Sequence, residues 1–433
     1  MIAQSCSRRA AAAAPNRPAA AAAPCRRRRP RSSSSSSAVV AVRAAAGSPA
    51  APAYRPPSSA TAATELDWVA RRSHLVPDTL LFSTGIAGGG KPEAATVSAA
   101  VLNAALASAT LTSAAKPWAQ AVAAAAAYDR CASLPAGSAE RLACVLDKAY
   151  ANVAALAAEG VEGRVAVELD PRLADNAPAL LGRARALLAL LDESRVPRSK
   201  LILRVPATWA GIQACSALEA EGVATQAYLV FSQVQAAAAT QAGVSVISPN
   251  VGRTRDFYNK FPGIVRDPHG PREDAGGGSA TADPGVALAR RVYKYAKKFG
   301  GQGGKPAPLV MAAGLRSRAD VMSLAGCDFL VVPARVLGQL AEAPTFSGYN
   351  DGLSAGGGGD GSDDELGGDD RPLTPALAAA DDEIVALPRL DAGSFADGLG
   401  MAGRALLEQG LSGMAFEIER LEATLGEMVA GTE

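Results

Sequence analysis

Between Arg164 and Val332, short apolar runs return at intervals that leave room for one helix each, and this alternation constrains the 433-residue chain more than any other feature. The runs are Arg164-Val-Ala-Val-Glu-Leu169, Leu201-Ile-Leu-Arg-Val205, Ala227-Tyr-Leu-Val-Phe231, Val244-Ser-Val-Ile247, Leu309-Val-Met311 and Phe329-Leu-Val-Val332. Their shortness and β-branched content predict strands. The stretch from Trp209 to Glu221 places Ile212, Cys215 and Leu218 on one helical face and meets a stop at Gly222. Strand, helix, strand at this spacing predicts a parallel sheet, because parallel neighbours need a crossover. Repetition over more than about 200 residues favours an α/β fold closed as a (β/α)8 TIM barrel with added C-terminal helices. Hydrophobic residues make up 48% and aromatics only 5%, so small aliphatic side chains must build the core. No run of about 18 apolar residues lacks charges or breakers, so no membrane span is expected.

The ends and the joints read differently. Residues 1–64 hold ten arginines, the serine run Ser32 to Ser37, and no acid before Glu65. Arg-rich, Ser-rich and acid-poor is the composition of a transit peptide. Residues 1–44 are assigned to it, with processing at Val42-Arg43-Ala44-Ala45, a chloroplast stroma destination, and the mitochondrial matrix as the alternative. A disordered basic tail is the other reading. Residues 45–64 form a Pro/Ala/Ser-rich linker, and 65–433 the barrel. Cleavage removes nine arginines and leaves a net charge of about −8, with no basic footprint for nucleic acid. Two stretches, 265–283 and the acidic, Gly-rich 350–371, are too polar to order themselves and read as insertions. The second lacks the EF-hand pattern, so a solvated loop is expected there rather than a calcium site. A final helix is expected over 402–429. Behind the peptide remain Cys131, Cys144, Cys215 and Cys327, with no C-x-x-C pair, which predicts neither zinc nor a redox dithiol. With His74 and His269 the only histidines, His-ligated metal and a Ser-His-Asp triad are disfavoured.

Several motifs are more specific. Leu201-Ile-Leu-Arg-Val-Pro-Ala-Thr-Trp209, Leu229-Val-Phe-Ser232 and Ile247-Ser-Pro-Asn-Val-Gly-Arg253 occur in order, with Lys91-Pro-Glu-Ala-Ala-Thr96, Glu168-Leu-Asp-Pro-Arg-Leu173, Asp283-Pro-Gly-Val286 and Leu324-Ala-Gly-Cys-Asp328 around them. Together they resemble the transaldolase family over roughly residues 70–340. The resemblance implies sugar-phosphate (pentose phosphate) metabolism without metal or cofactor. A barrel-strand lysine forms a Schiff base with a ketose phosphate, and a dihydroxyacetone unit passes to an aldose phosphate. It also implies proton-handling acids at Asp78 and Glu168, and phosphate binding by Ser248, Arg253 and Arg316. The family's lysine falls on Arg204, its asparagines on Ser98 and Gln226, its water-holding threonine on Tyr228, and a serine on Gly314.

Schiff-base chemistry needs a neutral primary amine, and a guanidinium stays protonated and delocalised. Lys200 and Lys305 precede their strands and fall at the wrong end of a barrel, whose active sites lie at the C-terminal face; Lys91 is nearer the correct face. Ile202 and Arg204 share the face expected to point inward. A buried arginine needs a partner, here Asp78, Glu168 or Asp170. The expectation is a protein that binds a sugar phosphate without Schiff-base chemistry, with a homo-oligomer possible. An active transaldolase is the alternative, and a structural protein with a vestigial phosphate site the third reading.

Overall fold

Alternating side chains decide which face of each strand is buried twice. In the segment Leu201–Pro206, Leu203 and Val205 join the large apolar cluster beneath the helices, while Ile202 joins a second cluster with Val76, Ala166, Val246, Met311 and Val331. The same split separates Val165 and Val167 from Ala166. The second cluster is the filled interior of a ring of strands.

The computed structural model describes residues 64–80, 99–103, 105–107, 116–264, 283–345 and 372–430. Its strands are β1 (His74–Pro77), β2 (Ala99–Leu102), β3 (Arg164–Glu168), β4 (Leu201–Pro206), β5 (Thr225–Val230), β6 (Val246–Pro249), β7 (Leu309–Ala312) and β8 (Phe329–Val332). Hydrogen bonding runs β1-β8-β7-β6-β5-β4-β3-β2, every pair is parallel, and β1 lies beside β2. This is the expected (β/α)8 barrel. The assigned transit peptide, nearly all of the linker, Ser98, Lys91 and both insertions save Asp283 lie outside the described residues.

Helices return the chain outside the ring. They are α1 (Glu65–Ala70), α2 (Lys116–Ala126), α3 (Asp129–Ala132), α4 (Ala139–Glu159), α5 (Ala177–Glu193), α6 (Trp209–Ala220), α7 (Gln233–Ala242), α8 (Val251–Lys260), α9 (Pro284–Phe299), α10 (Arg318–Ser323) and α11 (Ala334–Glu342). Local chemistry fixes their starts. Ser138, Asn176, Thr208, Ser232 and Asn250 each cap a helix through the side-chain oxygen, and Asp283 does so ahead of Pro284. Three further helices follow: α12 (Pro375–Ala380), α13 (Ala392–Gly398) and α14 (Gly400–Ala430). Among the described residues, no helix is long and apolar enough to cross a membrane.

The long α14 packs on β5, on α8, on the turn at 171–173, on α4 and on α2. Arg172 ties it down through Glu422 at 2.7 Å. These contacts follow the C-terminal ends of β3, β5 and β6, so α14 crosses the mouth of the barrel rather than merely covering one side. The cysteines require a correction. Cys131 and Cys144 are joined as a disulfide, although no C-x-x-C spacing announces them. Spacing rules see only near neighbours in sequence, whereas here α3 folds back on α4 and brings the two together. Cys215 and Cys327 are free and buried.

Candidate functional site

Parallel pairing places Glu168 of β3 beside Arg204 of β4, and Arg204 beside Gln226 of β5. Alternation turns all three into the barrel near its C-terminal mouth. Arg204 Nη1 approaches Glu168 Oε1 at 3.5 Å, with side-chain exposures of 11% and 1%. Of the three candidate acids, then, Glu168 is the ion-pair partner; Asp170 instead pairs with Arg172 at 2.7 Å. The Arg204 guanidinium also lies over the Tyr228 ring, 4.2 Å from its centroid. A cation on an aromatic face in a dry setting contributes about 1–2 kcal/mol. Tyr228 thus helps to make the buried arginine tolerable.

Among the described residues, Arg204 Nε and Gln226 Oε1 are buried without a hydrogen-bond partner, and the Tyr228 hydroxyl faces the Glu168 carboxylate. The other end of Gln226 donates to Met311 Sδ at 3.3 Å. Burial, and next the Glu168 carboxylate, push the Tyr228 phenol well above its ordinary pKa. Burial does the same to Tyr150 on α4, again reinforced by Glu168. Both phenols therefore stay protonated and able to donate. Asp78 follows β1, where its amide bonds to Val332 O at 3.0 Å. Its side chain reaches solvent, yet the neighbouring barrel atoms displace enough water to raise its carboxyl pKa, which Arg204 partly offsets.

The anion-binding candidates lie on the next strands round. Ser248 donates its hydroxyl to Met311 O at 2.8 Å and is buried. Arg253 sits in the first turn of α8 and forms no ion pair with a described residue. Its guanidinium rests under α14, so close that a Cβ at Gly410 or Gly413 would meet it at 3.5 or 3.4 Å. Arg316, by contrast, is held in a two-point pair with Asp256 at 2.8 and 2.7 Å, half exposed. That pair raises the Arg316 pKa and lowers that of Asp256. The two arginines expected to act together are therefore in different states: one open, one engaged. Gly314 has φ +75°, and a Cβ there would stand 2.7 Å from Asn250 Oδ1. Glycine at 314 thus admits a left-handed turn that packs against the cap of α8.

Lys200 cannot substitute for an amine in the mouth. Its Nζ is bound to Val161 O at 2.6 Å and Glu162 O at 3.0 Å, at the start of β3 and far from the strand's C-terminal end. Lys305 lies exposed ahead of β7. Among the described residues no group of three His, Cys, Asp or Glu side chains could hold a metal.

Two supports were not readable beforehand. Gln235 on α7 donates to Ala207 O and Leu229 O, both at 2.9 Å, and accepts from Phe231 N at 2.8 Å. It ties the ends of β4 and β5 together where Leu229 takes φ +58° and the ladder slips register. The only sequence signal is a glutamine at the head of an alanine run. Tyr150 lies more than fifty residues before β4 and carries no motif at all.

A family model covers the stretch that holds β2 to β8. Residues 94–354, more than half of the chain, match transaldolase/fructose-6-phosphate aldolase. The chain belongs to this family. It is 38% identical over 201 residues to the transaldolase of Chlamydia muridarum, a match spanning 46% of this chain and 57% of that protein. It is 35% identical over 204 residues to a probable transaldolase of Dictyostelium discoideum, covering 47% and 59%. It is 37% identical over 201 residues to the transaldolase of Chlamydia trachomatis, covering 46% and 57%. The matched stretch thus spans little more than half the length of these transaldolases.

Proposed function

We propose that this transaldolase-family barrel binds a sugar phosphate in its mouth by hydrogen bonds and charge alone, without a Schiff base. The observation that carries the reading is Arg204, which faces Glu168 at 3.5 Å and stacks on Tyr228 at 4.2 Å inside the barrel. A guanidinium there can orient a carbonyl or hydroxyl but cannot supply a neutral amine. Arg253, with no carboxylate of the described residues on it, and Ser248 would take the phosphoryl group, using a fork that matches phosphate oxygens. The setting we propose is sugar-phosphate metabolism in a plastid, after removal of residues 1–44; import of the full chain into isolated plastids, with the new N-terminus read by mass spectrometry, tests that part.

The names of the relatives favour one competing reading, an active transaldolase moving a dihydroxyacetone unit between sugar phosphates. Borohydride trapping with fructose 6-phosphate separates the two. Our reading expects no covalent adduct, together with a rise in melting temperature at millimolar fructose 6-phosphate, since a ligand of the folded state must stabilise it. A trapped adduct would establish the competing reading. Arg204→Lys is expected to restore no adduct: a lysine beside the buried Glu168 carboxylate would be held as an ammonium, and Tyr228 and Gln226 still fill the mouth.

A further inference from the structure

The disulfide between Cys131 and Cys144 fastens α3 to the first turns of α4. Because α4 carries the chain back from the C-terminal ends of the strands to Arg164 at the start of β3, those first turns lie on the mouth side of the barrel. There α4 forms part of the seat of α14. Ile418, Leu421 and Leu425 of α14 are buried in the same apolar cluster as Cys131, Val145 and Leu146, with Cys144 and Met428 packed against it. The seat is held from other sides too. Asn152 of α4 donates to Ala121 O of α2 at 2.9 Å, and Arg172 pairs with Glu422. The two sulfurs are placed unequally. Cys131 is fully buried, whereas Cys144 is half-buried and the turn 133–138 between the two helices is largely exposed. Cys144 is thus the less buried of the two cysteines, and Cys131 the one enclosed by the core.

We infer that Cys131–Cys144 is a reducible latch whose opening by a dithiol loosens the seat of α14 over the barrel mouth. A thiolate of the dithiol attacks Cys144 Sγ, the S–S bond breaks, and its electron pair leaves on Cys131 Sγ, which takes up a proton. The second thiol of the reductant then displaces Cys144 from the mixed disulfide. Two cysteine thiols remain on the protein, and the dithiol leaves as its own disulfide, two electrons having passed to the protein. Loss of the cross-link frees α3 from α4 and restores chain entropy to the loop between them. The closed form holds α14 across Arg253; the open form releases it. This inference concerns the cover of the site and stands whatever ligand the site takes.

Hydrogen exchange on the full chain, with and without dithiothreitol under native conditions, tests it. Peptide mass spectrometry after alkylation reports the state of Cys131 and Cys144 in the same samples. The expected result is opening of the bond in the folded protein and about tenfold faster exchange in the 414–430 half of α14, with α7, which packs against the first half of α14, unchanged, as for local rather than global opening. Removal of the dithiol under air should restore slow exchange. The Cys131→Ser/Cys144→Ser double variant should exchange like the reduced protein and ignore the reductant. A bond that stays closed in excess dithiol while the protein is folded would overturn the inference. So would opening that leaves α14 exchange unchanged, or exchange that rises equally in α7. The reduction and re-oxidation cycle on the unmodified chain decides the matter if the double variant does not fold.

Discussion

At the scale of single residues, the mouth is defined by how charges are shared. Arg316 is engaged by Asp256 through two hydrogen bonds on the surface, and Arg253 has no such partner among the described residues. Exposed pairs of this kind contribute only about 0–1 kcal/mol to stability. Asp256→Asn is therefore expected to leave the melting temperature within about 2 °C. It should tighten fructose 6-phosphate binding about three- to tenfold by releasing a second fork for the phosphoryl group. Isothermal titration checks it, and unchanged affinity would place Arg316 outside the ligand's reach. Asp78 offers a pH test. Its folded pKa lies above the ordinary 3.8, so the folded state holds that proton more tightly than the unfolded chain. The group therefore favours folding as pH falls through its folded pKa towards 3.8, and disfavours it when charged at neutral pH. Asp78→Asn should be relatively more stable at pH 7 than at pH 3, below the ordinary carboxyl pKa, when melting temperatures of variant and parent are compared; a constant difference across that range would contradict the assigned direction. The pairing of Arg204 with one of three nearby acids was legible from strand parity alone. Its stack on Tyr228 was not, because parity says which face a side chain takes and nothing of how two long side chains settle against each other.

At the scale of elements, six strands could be read from the sequence and two could not. β1 is four residues ending in Pro77, and β2 is Ala-Ala-Val-Leu inside an alanine-rich stretch whose composition suits a helix as well as a strand. Only closure of the ring assigns them, since β8 and β3 each need a neighbour. β5 starts at Thr225, before the apolar run, because Thr225 and Gln226 take strand positions through the ladder to β4 rather than through hydrophobicity. The seating of α6 on β4 is equally non-local. A Cβ at Gly211 would stand 2.0 Å from Pro206 O, a backbone atom that cannot turn aside. Gly211→Ala would gain up to about 1 kcal/mol in helix propensity. The overpacking should outweigh this and cost about 1–3 kcal/mol net, displacing the strand end beside Arg204. Chemical denaturation gives the stability, and a stable Gly211→Ala protein with unaltered ligand affinity would show that α6 can shift without moving the mouth.

At the scale of the whole molecule, the cysteines separate local opening from global opening. Cys215 on α6 and Cys327 ahead of β8 are fully buried on well-separated elements of the same core, and burial pushes both thiols up to about 12. A thiolate is the reacting form, so neither should react at pH 8 while its surroundings stay closed. Cys131 and Cys144 are bonded and silent until reduced. If α6 and β8 belong to one cooperative barrel, Cys215 and Cys327 become reactive only through the opening that unfolds it, and slow alkylation at pH 8 should proceed at the same rate at both sites. That common rate should rise together with denaturant, with the slope of global unfolding. Reduced Cys144 should react faster, through an opening confined to α3 and α4, and with a shallower denaturant dependence because less surface is exposed. Site-resolved alkylation followed by mass spectrometry measures all three rates in one experiment. Different rates at Cys215 and Cys327 would mean that the α6 side and the β8 side open separately, and that the ring joining them through β4, β5, β6 and β7 is not a single unit.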